Sequence, residues 1–516
     1  MCVRDGRTSI DGVKTYLSVP MAVVVSAVLW LFGTGLHPYP GLVVLAPVPV
    51  LLIASRVPGR IAFAAALVSW LGGAVPFVLY FSGTLEQPWL PTILLLGITA
   101  TTYASLILLT GTLIRHGRPG AAVLALPAGW VLMEFLLAAI GPFGAWWSLA
   151  YTQAEVLPLI QIAAVTGRLG IVFVILLVPA AIAVLIDPHV PRRMRIRCAS
   201  GTCAVMVAVV GYGLWQLSAP AERGSVAVAL VAVSQPEDFV PVDTVEGRDM
   251  VVRVVAEVER LTDRGARVVV LPEKAWRAEE STLSDLAVPL TEVARRRGVN
   301  IIAGLVLTRG ETSVSAAIDF PSGLVYAKNH LVAGWEDELT EGTERAVLPG
   351  TGWAMAVCFD LDFPDLVRAN RNQGASLLLV PALDFRVDRW LHSRMAVLRG
   401  VESGVSVARS PQMGDLVLSD DWGRILATAS ADVTRTVSVL AIVPEPTHPT
   451  VYARFGEWFV AVAILLLAHV VLSAVRSRAG LRASAGRRRA QPGIRTGGMT
   501  HIIDRGCRKV SGIGVQ

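Results

Sequence analysis

Nearly continuous apolar runs fill residues 17–216 of this 516-residue chain, and one further apolar run follows at 457–475. Between them, residues 225–445 have the mixed composition of an ordinary globular sequence, although the whole chain is 53% hydrophobic. A bilayer core requires about 20 apolar residues for each crossing helix. The pattern therefore predicts a membrane domain with a globular domain inserted before its last crossing.

We predict eight membrane-spanning helices, near residues 17–36, 41–56, 61–83, 91–114, 120–139, 165–187, 198–217 and 457–475. Short cytoplasmic loops retain Lys and Arg, so the connections test this layout. With a cytoplasmic N-terminus, the inside segments carry Arg4, Arg7, Lys14, Arg56, Arg60, Arg115, Arg118, Arg192, Arg193, Arg195, Arg197 and the Arg-rich tail from Arg476. The outside segments 37–40, 82–90 and 141–158 carry none. Seven crossings then place the globular domain outside the cell membrane, and both termini are cytoplasmic.

This layout divides the chain into a membrane domain of about seven helices (1–220), an extracytoplasmic domain (221–448), a last helix (449–478) and a basic cytoplasmic tail without fixed structure (479–516). The formal charge of +6 mostly reflects this topology. Basic tails beside membranes are usually solvated or in contact with anionic lipid, so we expect no nucleic-acid partner.

Strand-like runs alternate with helical patterns in the globular part. Strands are predicted at 225–233, 267–276, 300–308 and 376–384, a hairpin turns at Pro-Ser-Gly 321–323, and helices are predicted at 245–262, 283–297, 364–372 and 388–403. Alternation of this kind predicts an α/β fold of sheets covered by helices.

The stretch WAMAVCFDLDFPD, 353–365, places Cys358 before three aspartates, which should raise the pKa of its thiol. In the predicted topology Cys358 is the one cysteine of the outer domain, so it is either inert or reactive. Glu273 and Lys328 also follow strand-like runs, and the carboxyl ends of strands form the ligand crevice of open α/β sheets. We further expect Asp362 or Asp365 to cap the helix that begins near Pro364.

The motifs LPEKAW (271–276), YAKNHLV (326–332) and AVCFDLDFPD (356–365) resemble the Glu-Lys-Cys signature of the carbon-nitrogen hydrolase (nitrilase) superfamily. Together with the membrane spans, the whole resembles the family of apolipoprotein N-acyltransferases. The resemblance implies a nitrilase-like α-β-β-α sandwich inserted in an eight-helix transmembrane bundle. It also implies three roles: Glu273 as general base, Cys358 as nucleophile, and Lys328 as the cation that stabilises thiolate and oxyanion.

The implied activity transfers an acyl chain from a phospholipid, through a cysteine thioester, to the N-terminal amine of S-diacylglyceryl-cysteine in apolipoproteins. The implied location is the bacterial plasma membrane, and neither a metal nor a soluble cofactor is implied. Two alternatives stay open. One is a membrane-anchored amidase that passes the acyl group to water, and the other is an inactive paralogue that binds lipid or lipoprotein.

The inactive alternative is motivated by departures from the family pattern. Phe359 and Asp360 follow the cysteine where the family has Tyr-Glu, and Ala333-Gly334-Trp335 replaces Pro-Phe-Gly before Glu336. In the family that glutamate supports the lysine. We therefore regard Glu336, Phe359, Asp360 and Trp335 as supporting or substrate-binding candidates.

The membrane half supplies four further candidates. Trp146, Trp147 and Tyr151 lie in a loop predicted at the outer interface, where amphipathic aromatics are favoured, so an interfacial belt and substrate contact are both open. Glu134 is an acid inside a predicted span, which makes it a functional candidate.

Overall fold

The structure is a computed structural model that describes residues 7–218, 224–236 and 239–490, with side chains described between 18 and 476. Residues up to Ser473 form one compact unit that contains both the apolar helices and the sheets. The helices of the first half are α1 (Arg7–Gly33), α2 (Pro40–Leu45), α3 (Val48–Ala54), α4 (Gly59–Gly73), α5 (Val75–Leu79), α6 (Trp89–Arg115), α7 (Pro119–Ile140), α8 (Leu157–Ile160), α9 (Ala163–Thr166), α10 (Arg168–Ile186) and α11 (Arg192–Ser218).

Among the described residues, five helices are long and apolar enough to cross a membrane: α6, α7, α10, α11 and the Phe459–Arg476 part of the last helix. The bent pair Gly59–Gly73 and Val75–Thr84 brings the number to six. These helices support a membrane protein, whereas the predicted count of eight is not confirmed.

Prolines explain two differences from the predicted spans. The span predicted at 41–56 is two short helices, α2 and α3, separated at Pro47, which has no N–H to continue the first helix. The span predicted at 61–83 bends by 46° between α4 and α5, where Pro76 follows Gly72 and Gly73.

In the described residues of the globular part there are fourteen strands and the remaining helices. The strands are β1 (Gly224–Ala232), β2 (Val240–Pro241), β3 (Val268–Val270), β4 (Trp276–Glu279), β5 (Asn300–Arg309), β6 (Thr312–Phe320), β7 (Val325–Ala327), β8 (Ala346–Val347), β9 (Trp353–Met355), β10 (Leu377–Ala382), β11 (Ser406–Pro411), β12 (Gly414–Ser419), β13 (Ile425–Ala431) and β14 (Val437–Glu445). The helices are α12 (Val245–Asp263), α13 (Ser284–Arg297), α14 (Pro364–Asn372), α15 (Arg389–Ser403), α16 (Val451–Phe455) and α17 (Phe459–Ala490). Of the predicted tail, 491–516 lies outside the described residues.

Two sheets face each other. The first has eight strands in the order β14-β1-β3-β5-β4-β2, with β6 paired to β5 and β7, and the second has six in the order β13-β12-β11-β10-β9-β8. Alternate residues of each strand point to opposite faces. Val228 and Leu230 of β1 therefore pack with Leu377 and Leu379 of β10 between the sheets.

The outer faces of both sheets are covered by helices. Val231 of β1 packs with residues of α12 and α13, such as Val254 and Leu290. Leu378 of β10 packs with residues of α14 and α15, such as Val367. The layers are therefore helix, sheet, sheet, helix, as expected for a nitrilase-like α/β fold.

Helix α15 also packs against the membrane half. Trp390, Leu391, Met395, Leu398 and Val401 on this helix belong to the same buried cluster as residues of the apolar helices and of the loop after α7. One face of α15 therefore anchors the sandwich to the helical part.

Candidate active site

Cys358 follows the end of β9 and opens a 3-10 turn over Cys358–Asp362. Its φ is +43°, in the left-handed region that residues with a side chain seldom adopt. Such strain persists only where the surrounding structure holds it, and it concentrates at functional sites. The Cys358 thiol donates to the Leu383 carbonyl oxygen at 3.2 Å and is only partly buried.

Glu273 and Lys328 are in direct contact. Lys328, which follows β7, donates from Nζ to Glu273 Oε1 at 2.9 Å and to Glu336 Oε1 at 3.0 Å. Ser315 Oγ donates to the same Glu273 oxygen at 3.0 Å, and Lys274 forms an ion pair with Glu336. Two carboxylates and two ammonium groups thus alternate along one wall of the cleft that also contains Cys358.

The charges of this array set the protonation of the resting site. Burial alone would lower the pKa of Lys328, but the neighbouring Glu273 and Glu336 raise it above its ordinary value. Burial opposes ionisation of Glu336, yet Lys328 and Lys274 lower its pKa to about 2. Burial and the charge of Glu273 raise the pKa of the Cys358 thiol. The resting site therefore holds a neutral thiol beside a charged lysine.

Asp360 joins the cysteine turn to the lysine loop. Its carboxylate is fully buried and accepts hydrogen bonds from the backbone N–H groups of Val357 at 3.0 Å, Asn329 at 3.2 Å and His330 at 3.0 Å. It also accepts from the Tyr326 hydroxyl at 2.7 Å. The aspartate thus holds the two segments that carry Cys358 and Lys328 together.

The expectation that Asp362 or Asp365 caps α14 is wrong. The N-cap residue of α14 is Phe363, and none of the described side chains forms a capping hydrogen bond there. Asp365 instead pairs with Arg368 at 3.2 Å, and Asp362 is buried, which raises its pKa to about 7. Because Asp362 points into the protein, its side chain cannot reach the helix N–H groups.

A main-chain hydrogen bond connects the cysteine turn to the loop after α7. The Ala145 N–H donates to the Asp362 carbonyl oxygen at 2.7 Å. Gly144 beside it has φ +52°, and a Cβ there would lie 2.5 Å from the same oxygen. Only glycine allows this close approach.

Aromatic side chains from both halves of the chain line the cleft. Its volume is about 700 Å³, including its open mouth, and its walls include Tyr80, Phe81, Phe143, Trp146, Trp335, Phe359 and Phe385. Trp335 Nε1 donates to the Leu85 carbonyl oxygen at 2.5 Å, and Trp146 stacks on Tyr80 with ring centres 5.6 Å apart. Of the predicted supporting residues, Glu336, Trp335, Phe359 and Trp146 therefore face the same cleft as Cys358.

The other predicted residues of the membrane half lie at a neighbouring cavity, which Trp146 also lines. There the buried Glu134 accepts hydrogen bonds from Trp130 Nε1 at 2.9 Å and Ser148 Oγ at 2.7 Å. Tyr151 accepts from Arg399 Nη2 at 3.0 Å, and Trp147 lies on the same wall. Glu134, Trp147 and Tyr151 do not line the Cys358 cleft.

Sequence reasoning missed two residues beside the thiol. Arg409 of β11 contacts Asp384 through Nη1 and Nη2 at 2.5 Å each, and its Nη2 lies 3.9 Å from Cys358 Sγ. The available signal was a charged residue within the apolar strand VSVARSP.

Two family models match the chain. The model described as the apolipoprotein N-acyltransferase N-terminal domain matches residues 16–181. The model described as carbon-nitrogen hydrolase matches residues 227–450.

Several curated relatives carry the name apolipoprotein N-acyltransferase. The protein from Bradyrhizobium diazoefficiens is 26% identical over 76% of this chain and 81% of its own length. The protein from Rhodopseudomonas palustris is 25% identical over 84% of this chain and 91% of its own length. Among solved structures, the amidase from Nesterenkonia sp. AN1 aligns with a TM-score of 0.38 and 20% identity, over 46% of this chain and 97% of that chain.

The described layers and the matched models define a carbon-nitrogen hydrolase domain joined to a domain of apolar helices. The N-terminal model and the relatives that span most of the chain carry the same family name, and the second model matches the domain that follows. The chain belongs to the apolipoprotein N-acyltransferase family.

Proposed function

We propose that this chain is an N-acyltransferase that takes an acyl chain from a phospholipid and transfers it to the N-terminal amine of S-diacylglyceryl-cysteine in apolipoproteins. One observation carries the proposal. Cys358, on a strained turn, shares an aromatic-walled cleft with the Glu273–Lys328–Glu336 array, and helices of the apolar half supply part of that wall.

In the first half-reaction, Cys358 attacks the ester carbonyl carbon of the phospholipid. Its S–H proton passes to the Glu273 carboxylate, and the sulfur forms a bond to the carbonyl carbon. The Lys328 ammonium, which is charged in the resting site, stabilises the negative charge that develops. When the tetrahedral intermediate collapses, Glu273 returns the proton to the departing alkoxide, and a thioester and a lysophospholipid result.

In the second half-reaction, the neutral α-amine of the diacylglyceryl-cysteine attacks the thioester carbonyl carbon. Glu273 accepts the proton that the nitrogen loses as the amide forms, and the sulfur leaves as a thiolate that regains a proton from Glu273. The enzyme is thereby restored without a metal or a soluble cofactor.

The proposed surroundings follow the sequence layout. We place eight spans in a bacterial plasma membrane, with 1–220 as the membrane domain, 221–448 outside, 449–478 as the last span and 479–516 in the cytoplasm. Loops free of Lys and Arg at 37–40, 82–90 and 141–158 support this orientation. Both proposed substrates are lipids or lipid-anchored proteins, so a cleft with walls from the apolar helices is suited to them.

The amidase alternative differs in its acceptor. Hydrolysis requires a water path to the thioester, whereas transfer favours a site that excludes water. The apolar walls contributed by Phe81, Phe143 and Trp146 favour transfer.

The departure at Asp360 does not favour the inactive alternative. Asp360, though one methylene shorter than the family's glutamate, reaches three backbone N–H groups and the Tyr326 hydroxyl. Its joining function is therefore intact.

The test incubates bilayer-embedded protein with phospholipid and records intact mass. We expect one acyl adduct on Cys358, absent from Cys358→Ala and strongly reduced in Glu273→Gln, whereas Glu311→Gln at the exposed turn before β6 keeps it. A diacylglyceryl-cysteine peptide should remove the adduct and gain one acyl chain. Folded protein that forms no adduct with any phospholipid would refute the proposal, and release of free fatty acid alone would establish transfer to water, as in the hydrolytic alternative, in place of transfer to the peptide.

A further inference from the structure

A buried ion pair lies beside Cys358 and is separate from the Glu273–Lys328–Glu336 array. Arg409 donates from Nη1 and Nη2 to the two carboxylate oxygens of Asp384, at 2.5 Å each. Arg409 is 1% exposed and Asp384 is 2% exposed. Arg409 Nη2 also lies 3.9 Å from Cys358 Sγ. The bidentate ion pair therefore holds the Arg409 guanidinium next to the sulfur.

We infer that Arg409 is a catalytic residue that stabilises the Cys358 thiolate, and that Asp384 is a positioning residue that orients its guanidinium. The inference rests on the proposed role of Cys358 as the nucleophile. When the S–H bond breaks, the proton passes to Glu273 and the electron pair stays on sulfur. The new negative charge then lies 3.9 Å from the Arg409 nitrogen.

Guanidinium geometry allows both contacts at once. Each Nη of arginine carries two N–H groups, so Nη2 can donate one to Asp384 and retain one for the sulfur. A lysine ammonium lacks this planar fork. Two of the three Lys328 N–H groups are donated to Glu273 and Glu336, so Arg409 supplies a second cation next to the sulfur.

The backbone holds Arg409 in this place. Strands β10 and β11 are parallel, and Arg409 of β11 lies opposite Val380 of β10. Asp384 follows Val380 by four residues, in the loop after β10. The Leu383 carbonyl oxygen in the same loop accepts from the Cys358 thiol at 3.2 Å. The loop after β10 therefore positions both the Cys358 thiol and the Asp384 carboxylate that orients Arg409.

Other charged or titratable groups also surround the thiol. Those facing it across the cleft or from α15 and the loop before it are Glu273, Lys328, Lys274, Glu336, Asp388 and His392. The turn itself contributes Asp360 and Asp362, and Tyr80 lines the opposite wall. None of these residues is substituted in the variants below. His392 Nδ1 lies 3.8 Å from Asp384 Oδ1, and this contact with the carboxylate is lost equally in Asp384→Asn and in the double variant.

The experiment measures how fast iodoacetamide alkylates Cys358 in the full-length protein, without acyl donor, from about pH 6 to about pH 10 around the ordinary thiol pKa. Mass spectrometry of the peptide that contains Cys358 separates it from the other cysteines. The variants are Asp384→Asn, Arg409→Lys and the double Arg409→Gln/Asp384→Asn. Arg297→Gln, which breaks the exposed pair with Asp263, is the matched control.

The double variant removes both charges of the pair, so the net charge of the site is unchanged. The loss of the Arg409 cation, whose Nη2 lies 3.9 Å from the sulfur, should outweigh the loss of the Asp384 anion. We expect about tenfold slower alkylation below the thiol pKa, which corresponds to a rise of about one pKa unit. Asp384→Asn keeps the Arg409 cation and one amide oxygen that can accept from it, so alkylation should be at least about tenfold faster than in the double variant. Arg297→Gln should match the wild type.

Arg409→Lys retains the positive charge, and it replaces the double variant should that variant not fold. We expect its alkylation to be about threefold slower than in the wild type, because an ammonium group cannot contact Asp384 and the sulfur as the planar guanidinium does. Wild-type rates in the double variant, or in Arg409→Lys in its place, would overturn the inference, and so would a rate in Asp384→Asn as slow as that in the double variant. A shifted titration without any acyl adduct from phospholipid would refute the proposed transferase and leave this role of Arg409 standing.

Discussion

Replacing Asp360 by asparagine should loosen the junction between the cysteine turn and the lysine loop. Oδ2 of Asp360 accepts from the Val357 N–H and the Tyr326 hydroxyl, while Oδ1 accepts from the N–H groups of Asn329 and His330. An amide keeps one accepting oxygen. Its NH₂ group would face two donors where Oδ2 now accepts, so the Val357 N–H loses its partner.

The magnitude follows from those bonds. A hydrogen bond to a charged group contributes about 1.5–3 kcal/mol, and an unpaired buried donor costs about 1–3 kcal/mol. The Tyr326 hydroxyl can rotate to accept from the new amide, so we expect a net loss of about 2–4 kcal/mol. At about 1.4 kcal/mol for each factor of ten, local opening at Val357 should become about 30-fold to about 700-fold more frequent.

Hydrogen exchange of the peptide covering residues 353–362 measures this opening. Tyr326→Phe removes one of the bonds but leaves the Val357 N–H paired, so its effect should stay below about tenfold. Asp415→Asn, whose carboxylate accepts from Ser430 Oγ on an exposed surface, is the control. Unchanged exchange in Asp360→Asn, or an equal effect in Tyr326→Phe, would refute the assigned joining function of the carboxylate.

Three further outcomes are expected. Lys328→Met leaves Glu273 and Glu336 without their shared ammonium, so acyl-adduct formation should slow by at least about 100-fold; a wild-type rate by intact mass spectrometry would exclude the assigned role. Cys358→Gly should exceed Cys358→Ala in stability by about 1 kcal/mol, because glycine adopts φ +43° freely; equal thermal midpoints would argue against strain. Burial raises the pKa of Asp362 from its ordinary value of 3.8 to about 7. Between these two pH values the folded protein keeps a proton that the unfolded chain loses, so the stability of the fold falls as the pH rises towards 7. Asp362→Asn should flatten that decline in the denaturation midpoint, and an unaltered slope would contradict this assignment.

Much of the globular fold could be predicted from local patterns. The helix predicted at 364–372 coincides with α14, and that predicted at 388–403 differs from α15 by one residue. Glu273, Lys328 and Cys358 share a cleft, as expected of residues that follow strand ends at one edge of the fold. Hydrophobic alternation and turn residues act over short distances, so they are visible in one sequence.

The contacts that were missed depend on pairing between distant segments. The placement of Arg409 beside Cys358 follows from the register of β10 with β11, which no local pattern encodes. The predicted strand 267–276 is two strands, β3 and β4, because the chain leaves the sheet after Val270 and Lys274 adopts φ +51°. Backbone strain of this kind is imposed by tertiary contacts and leaves no compositional trace.

The hydrogen bond from the Ala145 N–H to the Asp362 carbonyl oxygen fixes the position of Cys358, the proposed nucleophile, against the helical part of the protein. The cysteine turn is bonded through its own main chain to the loop that follows α7, so the height of the sulfur above the apolar helices does not depend on a flexible linker. A side chain at Gly144 would meet that carbonyl oxygen and shift the turn as a whole. The position of the thiol relative to the apolar helices therefore depends on a glycine that does not line the cleft.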